Sequence, residues 1–381
     1  MNRKPIVIDN GSGFSKAGFA GESQPQFIIP SLIGLPEKKS QLNFGNKSTR
    51  ERYIGDDAIE AGDLVRLISP ISGFSIDDWT MMEDIWNYIF YNKFYTNPSD
   101  HPLLLTEEPL TPPPDREKEI EIMFETFNIP SLYLATTAEL ALYASGRKTG
   151  CIIDIGHNIY YIVPVYESFA LTHAIGLFDI GGRDVTEYLG RLLRKKGFTL
   201  SKIEEMELVR KIKEDSCYIS LDPEKDLKLL DRDSKKFEKN YTHPNGETIK
   251  IEKERFLAPE CLFNPSIIGK SLYGLADNIV ERINCCEIDI QREFYENIIL
   301  IGGSTMFPGL KERLIKEIRE LFQDNINIEI FTLPNRKYLS WIGGSKFASS
   351  KTFKKILITK EDYKEIGPKI GRRCVGLKLL E

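Results

Sequence analysis

Residues 5–20 read PIVIDNGSGFSKAGFA: an apolar run from Ile6 to Ile8, an acid at Asp9, a turn of Asn, Gly and Ser, and a second stretch of small residues. A buried strand that enters turn-forming residues and leaves as another strand is a hairpin by its turn chemistry. Residues 150–166, GCIIDIGHNIYYIVPVY, repeat the plan with apolar Cys151 to Ile153, then Asp154, then Gly156, His157 and Asn158, then a further strand. One such stretch in each half of a 381-residue chain points to two similar domains left by an internal duplication.

A third turn, GGSTMFPG, follows an apolar strand from Asn297 to Ile301 and leads into a helix carrying Leu310, Leu314, Ile318 and Leu321 at helical spacing. Pro308 is expected in the first turn of that helix. Residues 184–196 form another amphipathic helix, with Val185, Tyr188, Leu189, Leu192 and Leu193 on one face and Gly197 as its stop. Strands and helices therefore alternate, and the class is α/β. The charged stretch Pro223 to Lys239 reads as a solvated surface segment, and Pro112 to Pro114 as a rigid surface step, a plain loop ahead of a partner site.

With 51 Lys and Arg against 56 Asp and Glu the net charge is −5, and 41% of residues are hydrophobic. That is the composition of a globular chain rather than a disordered one. The mild acidity, spread along the chain, argues against direct nucleic-acid binding, which calls for a basic face. No apolar run reaches the ~18 residues of a spanning helix, so membrane insertion is not expected. The start reaches its Gly-rich turn too early to hold a signal peptide. Cys151, Cys217, Cys261, Cys285, Cys286 and Cys374 show no metal-binding spacing and are expected as reduced thiols of a cytosolic or nuclear protein.

Gly-rich turns after buried strands expose backbone N–H groups that cradle anions, and a side chain there would block a phosphate. Asp9, Ser12, Gly13, Lys16, Asp154, Gly156, Gly302 and Gly303 are the candidates. One such turn is ordinary punctuation; three, two with an acid suited to a hydrated Mg²⁺, point to a nucleotide. Two familiar motifs are excluded by position. Gly269-Lys270-Ser271 ends like a P-loop, but the motif's first Gly would fall on Asn264. Gly11-Ser12-Gly13 opens like a dinucleotide fingerprint, but the third Gly position is Lys16.

The segments IDNGSGFSKAGFAG, YIGDDA, HPLLLTEEPL, IMFETFNIPSLY, LYASGRKTG, VPVYESFALTHAI, IGGSTMFPG and RKYLSWIGGS, in this order from Ile6 to about Cys374, resemble the actin family. The centractin branch is about as close as conventional actin. The resemblance implies an actin/Hsp70-like, ribonuclease H-like duplicated fold of two lobes. Residues 1–141 with 338–381 form the first, outer lobe and residues 142–337 the second, inner one; the chain crosses near Leu140 to Gly146 and near Arg336 to Tyr338. It implies ATP or ADP and Mg²⁺ in the cleft between them. Ser12, Gly13 and Lys16 would hold the phosphates from one side, and Asp154, Gly156, His157 and Asn158 from the other. Asp9 and Asp154 would order the cation's water shell. The nucleoside would meet Gly182, Lys213, Glu214, Gly302, Gly303, Ser304, Met306, Phe307 and Lys337.

Three departures from the family pattern concern chemistry. His157 stands where the family's second phosphate loop has a second acid, and Asn158 where it has Gly. Thr137 replaces the glutamine that positions the attacking water, and Tyr161 the histidine that shares the task. Slow or absent hydrolysis is expected, at most that of a slow actin-type ATPase.

The partner surfaces differ too. The groove shared by actin-binding proteins and by the next subunit keeps Tyr143, Ala144, Gly146 and Ile342, but carries Lys148, Ser168, Lys346, Phe347 and Ser350. The loop that would enter it, Pro36 to Arg52, holds Lys38, Lys39, Lys47, Arg50 and Arg52 around Leu42 and Phe44. These readings lead to a cytoplasmic, cytoskeletal actin-related protein that assembles with itself, actin or complex subunits. The alternatives are a nuclear subunit of a chromatin-remodelling complex and an active actin-like ATPase. A sugar kinase of the superfamily is the weakest reading, because RKYLSWIGGS and LYASGRKTG have no part in it.

Overall fold

The computed structural model describes residues 3–36, 51–198, 202–242, 246, 248–322 and 326–373. The partner-facing loop is outside them except for Pro36, Glu51 and Arg52, and Cys374 is outside them too.

Each predicted hairpin founds a sheet. Ile6–Asn10 pairs antiparallel with Phe14–Phe19, which pairs with Phe27–Pro30; on its other side Ile6–Asn10 runs parallel to Leu103–Glu107, and that strand to Ser131–Thr136. In the second half Gly150–Ile155 pairs antiparallel with Tyr160–Tyr166, which pairs with Phe169–Ala170, and runs parallel to Ile298–Ile301, beside Ile330–Phe331. Both sheets thus set three antiparallel strands beside two parallel additions, as a duplicated unit would. The first sheet is closed late, by Ile358–Thr359 on Ser131–Leu132.

The parallel strands are apolar on both faces because helices cover them. Leu103, Leu104 and Leu105, like Ile298, Ile299, Leu300 and Ile301, are at most 1% exposed. Separate hydrophobic clusters fill the two halves, centred on Trp86, Trp341 and Phe90 in one and on Tyr160, Phe294 and Tyr295 in the other. A third, with Ala141, Leu142, Ile152, Tyr161 and Ile299, packs the helix Thr137–Ser145 onto the second sheet.

That helix leaves the end of a first-sheet strand and leads to the first strand of the second sheet. Thr136 caps it, accepting from the Glu139 amide at 3.4 Å, and Gly146 ends it in the left-handed conformation. It lies against the helix Leu339–Ala348 so closely that a Cβ on Gly343 would sit 1.9 Å from the Leu140 carbonyl oxygen. Only glycine permits that approach.

Local expectations meet a few corrections. The helix predicted at 184–196 runs Gly182–Lys195, because the Asp184 carboxylate reaches back to the Gly181 amide at 2.9 Å and stabilises an earlier start. Pro308 precedes its helix, which begins at Leu310 after Gly309 at φ +86°. Pro113 and Pro114 open a helix to Glu121 instead of forming a loop, their fixed φ suiting the first turn. The solvated segment from Pro223 contains the helix Pro223–Leu230, which buries no residue. Cys151, Cys217, Cys261, Cys285 and Cys286 are free thiols. Among the described residues no helix is long and apolar enough to cross a membrane.

Candidate nucleotide site

The three predicted turns meet at one cavity of about 660 Å³, a volume suited to a small ligand. Asp9 to Phe14 contribute from the first hairpin, Gly156 and His157 from the second, and Gly302 to Ser304 from the third turn. The turns are built for close approach. A Cβ on Gly302, at φ +90°, would meet the Ile155 carbonyl oxygen at 2.4 Å and Asp154 Oδ1 at 2.5 Å. A Cβ on Gly13 would meet the His157 Cβ at 2.9 Å, so glycine lets the two hairpin turns face each other directly.

On the first hairpin Asp9 and Lys16 are cross-strand partners, and the Lys16 Nζ donates to Asp9 Oδ2 at 2.7 Å. Asp9 Oδ1 accepts from the Thr106 hydroxyl at 2.9 Å, fixing the carboxylate from the neighbouring strand. Burial opposes the charge of Lys16, but Asp9, Asp154 and Glu108 outweigh it and raise its pKa.

Opposite stands the second hairpin, with Asp154 and Tyr161 as cross-strand partners. Burial raises the Asp154 pKa to about 6, helped by Asp9 and opposed by Lys16. The Thr137 hydroxyl lies near enough to oppose that shift, yet forms no hydrogen bond of ordinary geometry. Burial lowers the His157 pKa to about 3, with Lys213, Arg183 and Arg210 adding to it, so the ring is neutral at physiological pH.

The remaining wall carries a ring of ties between turns. The Ser304 hydroxyl and the Gly182 amide both donate to the Gly156 carbonyl, at 2.8 and 3.0 Å. Lys213 Nζ donates to the Gly182 carbonyl at 2.9 Å, and burial lowers its pKa to about 8. Glu214, Gly303, Met306, Phe307 and Lys337 complete the predicted lining.

Asn158 does not line the cavity. Its side-chain amide donates to the Ile71 carbonyl at 3.3 Å and its backbone amide to the Ser12 hydroxyl at 3.4 Å, so it braces the turn from behind. Lys270, of the false P-loop, is not a lining residue and pairs with Asp184 at 2.9 Å.

Residues 2–375 match the family model Actin. The chain belongs to the actin family. Its α/β architecture is the two-lobed actin/Hsp70-like fold, and proteins of the actin family generally bind adenine nucleotide with a divalent cation. The cavity fits that ligand on structural grounds. It holds backbone turns for phosphate, the cations Lys16, Arg210 and Lys213, and the hydroxyls of Thr137 and Tyr161, which are buried without hydrogen-bond partners among the described residues.

Several lining residues of this actin-family cavity escaped the sequence reading. Arg210 lies over the Phe14 ring at 5.2 Å and is held by Glu207 and Glu214 at 2.6 Å each. Arg336 donates to the Thr305 carbonyl at 2.9 Å, tying the third turn to the short helix Arg336–Tyr338. Glu108 brings another carboxylate to the chamber, its pKa pushed up to about 8 by burial and by Asp154 and Asp9. The doubled acid Glu107-Glu108 at the end of an apolar strand was the available signal. Its partner is structural: Glu107 is 1% exposed in its side chain and clamped by Arg116 at 2.6 and 2.8 Å.

The groove also needs correcting. Phe347 is 1% exposed and packs against Tyr133, Tyr143 and Phe353, so it supports the groove from the core instead of lining it. Lys346 donates to the Ala144 carbonyl at 3.2 Å, at the end of a helix where carbonyls lack partners. Arg52, at the end of the basic loop, pairs with Asp84.

Proposed function

We propose that the chain is an actin-related cytoskeletal protein that binds Mg-ATP between its lobes and works by assembling into filaments or a multi-subunit complex, with slow hydrolysis. Its partners are actin-like subunits and actin-binding proteins, and its compartment is the cytoplasm. The observation that carries the reading is the cavity in which three turns, Lys16 and two acids converge. Residues 1–141 with 338–381 make one lobe in this reading and 142–337 the other, with the contact of Leu140 and Gly343 at their pivot.

Lys16, Ser12 and Gly13 hold the phosphates from the first lobe, and Gly156 and His157 from the second. Asp9 and Asp154 order water around the cation, while Gly182, Lys213, Glu214 and the third turn hold the nucleoside. The nucleotide supplies a phosphoanhydride bond whose state the two lobes sense. Loss of Gln and His at Thr137 and Tyr161 favours a slow switch, since water orientation needs a group within hydrogen-bond reach.

The test is a melting curve with and without millimolar Mg-ATP, joined to a nucleotide assay of the purified protein. A ligand that binds only the native state stabilises it by about 2.7 kcal/mol at a hundredfold excess over Kd. No shift and no copurifying nucleotide would refute the reading.

A further inference from the structure

The helix Pro113–Glu121 carries Arg116 and Glu119 three residues apart, so their side chains are neighbours on its surface. Glu119 is 5% exposed, and its Oε2 has no hydrogen-bond partner among the described residues. A buried carboxyl left in that state is costly and calls for a reason. Arg116 does not supply it, since its Nε and Nη2 donate to Glu107, at 2.6 and 2.8 Å. Among the described charges that act on Glu119, Glu107, Asp115 and Glu108 are acids and Arg116 is the one cation. The segment Pro368–Arg373 roofs this helix. A Cβ on Gly371 would sit 2.5 Å from Ile120 Cδ1 and 3.2 Å from Arg116 Cγ and Cδ, and Ile370 and Gly371 are both buried.

We propose that Glu119 makes the seating of Pro368–Arg373 proton-dependent: the segment packs down while the carboxyl keeps its proton, and lifting it admits water, ionises Glu119 and releases that proton. Two carboxylates beside one guanidinium cannot both be charged in a dry site. Burial raises the pKa of Glu107 too, but the Arg116 fork opposes that shift and keeps Glu107 as the charged partner. Burial, with Glu107 adding to it, raises the Glu119 pKa well above the ordinary 4.5 despite Arg116. The seated segment therefore holds a proton that the lifted one gives up. This contribution is complete below about pH 4.5 and is lost as pH rises through the seated value. An ionised Glu119 would also draw on Arg116, whose stem is the floor under Gly371. The other charges near the seam have partners of their own. Arg372 pairs with Glu117 at 3.6 Å and Lys118 with Glu121 at 3.0 Å. Glu125 accepts from the Tyr363 hydroxyl at 2.6 Å and Glu139 from the Thr136 hydroxyl at 2.7 Å, while Lys369 is exposed.

The experiment is hydrogen exchange of the purified full chain, read by mass spectrometry between pH 6 and pH 8 and corrected for the intrinsic pH dependence of exchange. In the wild type the protection of residues 366–373 should fall about tenfold per pH unit, the slope of a one-proton linkage, while that of the helix Gly182–Lys195 holds. Glu119→Gln keeps the size of the side chain and cannot ionise, so the segment's protection should become independent of pH. Glu119→Leu should do the same, and it carries the comparison should the Gln variant fail to fold. A wild-type segment whose protection is constant across the range overturns the proposal, and so does an equal fall in the wild type and in a folded variant. A fall shared by Gly182–Lys195 is a general loosening of the chain and overturns it as well.

Discussion

Tyr161 stands opposite Asp154 on the second hairpin at the register where Lys16 stands opposite Asp9 on the first, each pair separated by seven residues. The duplicated unit has kept its acid twice and its cation once. Lys16 is consequently the counter-charge for both acids: it bonds Asp9 and is felt by Asp154.

Lys16→Met should therefore harm more than one contact. It leaves Asp9 buried without its ion-pair partner, a change that typically costs about 3–5 kcal/mol. Chemical denaturation of the unliganded protein measures this, and Mg-ATP affinity should fall at least tenfold. A variant as stable as the wild type would show that Asp9 is compensated from elsewhere.

Hydrolysis should be slower than in conventional actin measured side by side, because Thr137 is too short to orient water as Gln does and Tyr161 is no base at neutral pH. The double substitution Thr137→Gln with Tyr161→His should raise phosphate release. Actin-like rates in the wild type would contradict the assignment of these two positions.

Stability should carry the mark of Glu108. Its folded pKa, about 8, lies above the ordinary 4.5, so between those values the folded state binds more protons than the unfolded one. Its stabilising contribution is complete below about pH 4.5 and lost as pH rises through 8. Glu108→Gln removes that dependence. Its melting temperature minus that of the wild type should grow from pH 5 to pH 9, whereas a constant difference would mean that Glu108 is not in a desolvated, acidic setting.

Arg116→Ala should destabilise the protein by about 3 kcal/mol, since it strips the fork from a carboxylate that is 1% exposed. Urea denaturation of the variant beside the wild type gives this quantity, and equal midpoints would show that Glu107 is compensated from elsewhere.

Assembly should be weak without a partner. Lys148 and Lys346 flank the groove, and the loop expected to enter it is basic. Like charges across a contact lower affinity, most strongly where salt screens them least. Pelleting at low and high ionic strength tests this, and long self-filaments at low salt would refute it.

Both hairpins, and so both sheets, were legible because an apolar run, an acid and a Gly-rich turn make a strong local signal twice over. The turn at Gly302 was legible for the same reason, and eighteen of the nineteen site and cation residues chosen line the cavity, Asn158 being the exception. What was not legible depends on register between distant strands. Nothing local says that Glu108 and Thr137 are neighbours; the pairing of Glu107 with Thr136 says it. Arg210 was missed because its position on a charged helix reads as solvated, although its guanidinium covers Phe14. Phe347 was misplaced because a helix in a groove-forming segment still has a core face, and Tyr133 and Phe353 occupy it.

The tie between the first strand and the helix Leu339–Ala348 bears on how the molecule is made. Trp341 Nε1 donates to the Val7 carbonyl at 3.0 Å across 334 residues, Ser345 Oγ donates to the Glu22 carbonyl at 2.7 Å, and the strand Ile358–Thr359 completes the first sheet. The second sheet, by contrast, draws only on residues 150–331. During synthesis the half that begins first is the half that finishes last, and its early strands wait for the chain's final quarter before their core is sealed. Pairing over such separations is slow and leaves apolar strands exposed while it is incomplete. Until that helix has been made, the apolar strands of the first sheet are vulnerable to aggregation, and the helix serves as their latch.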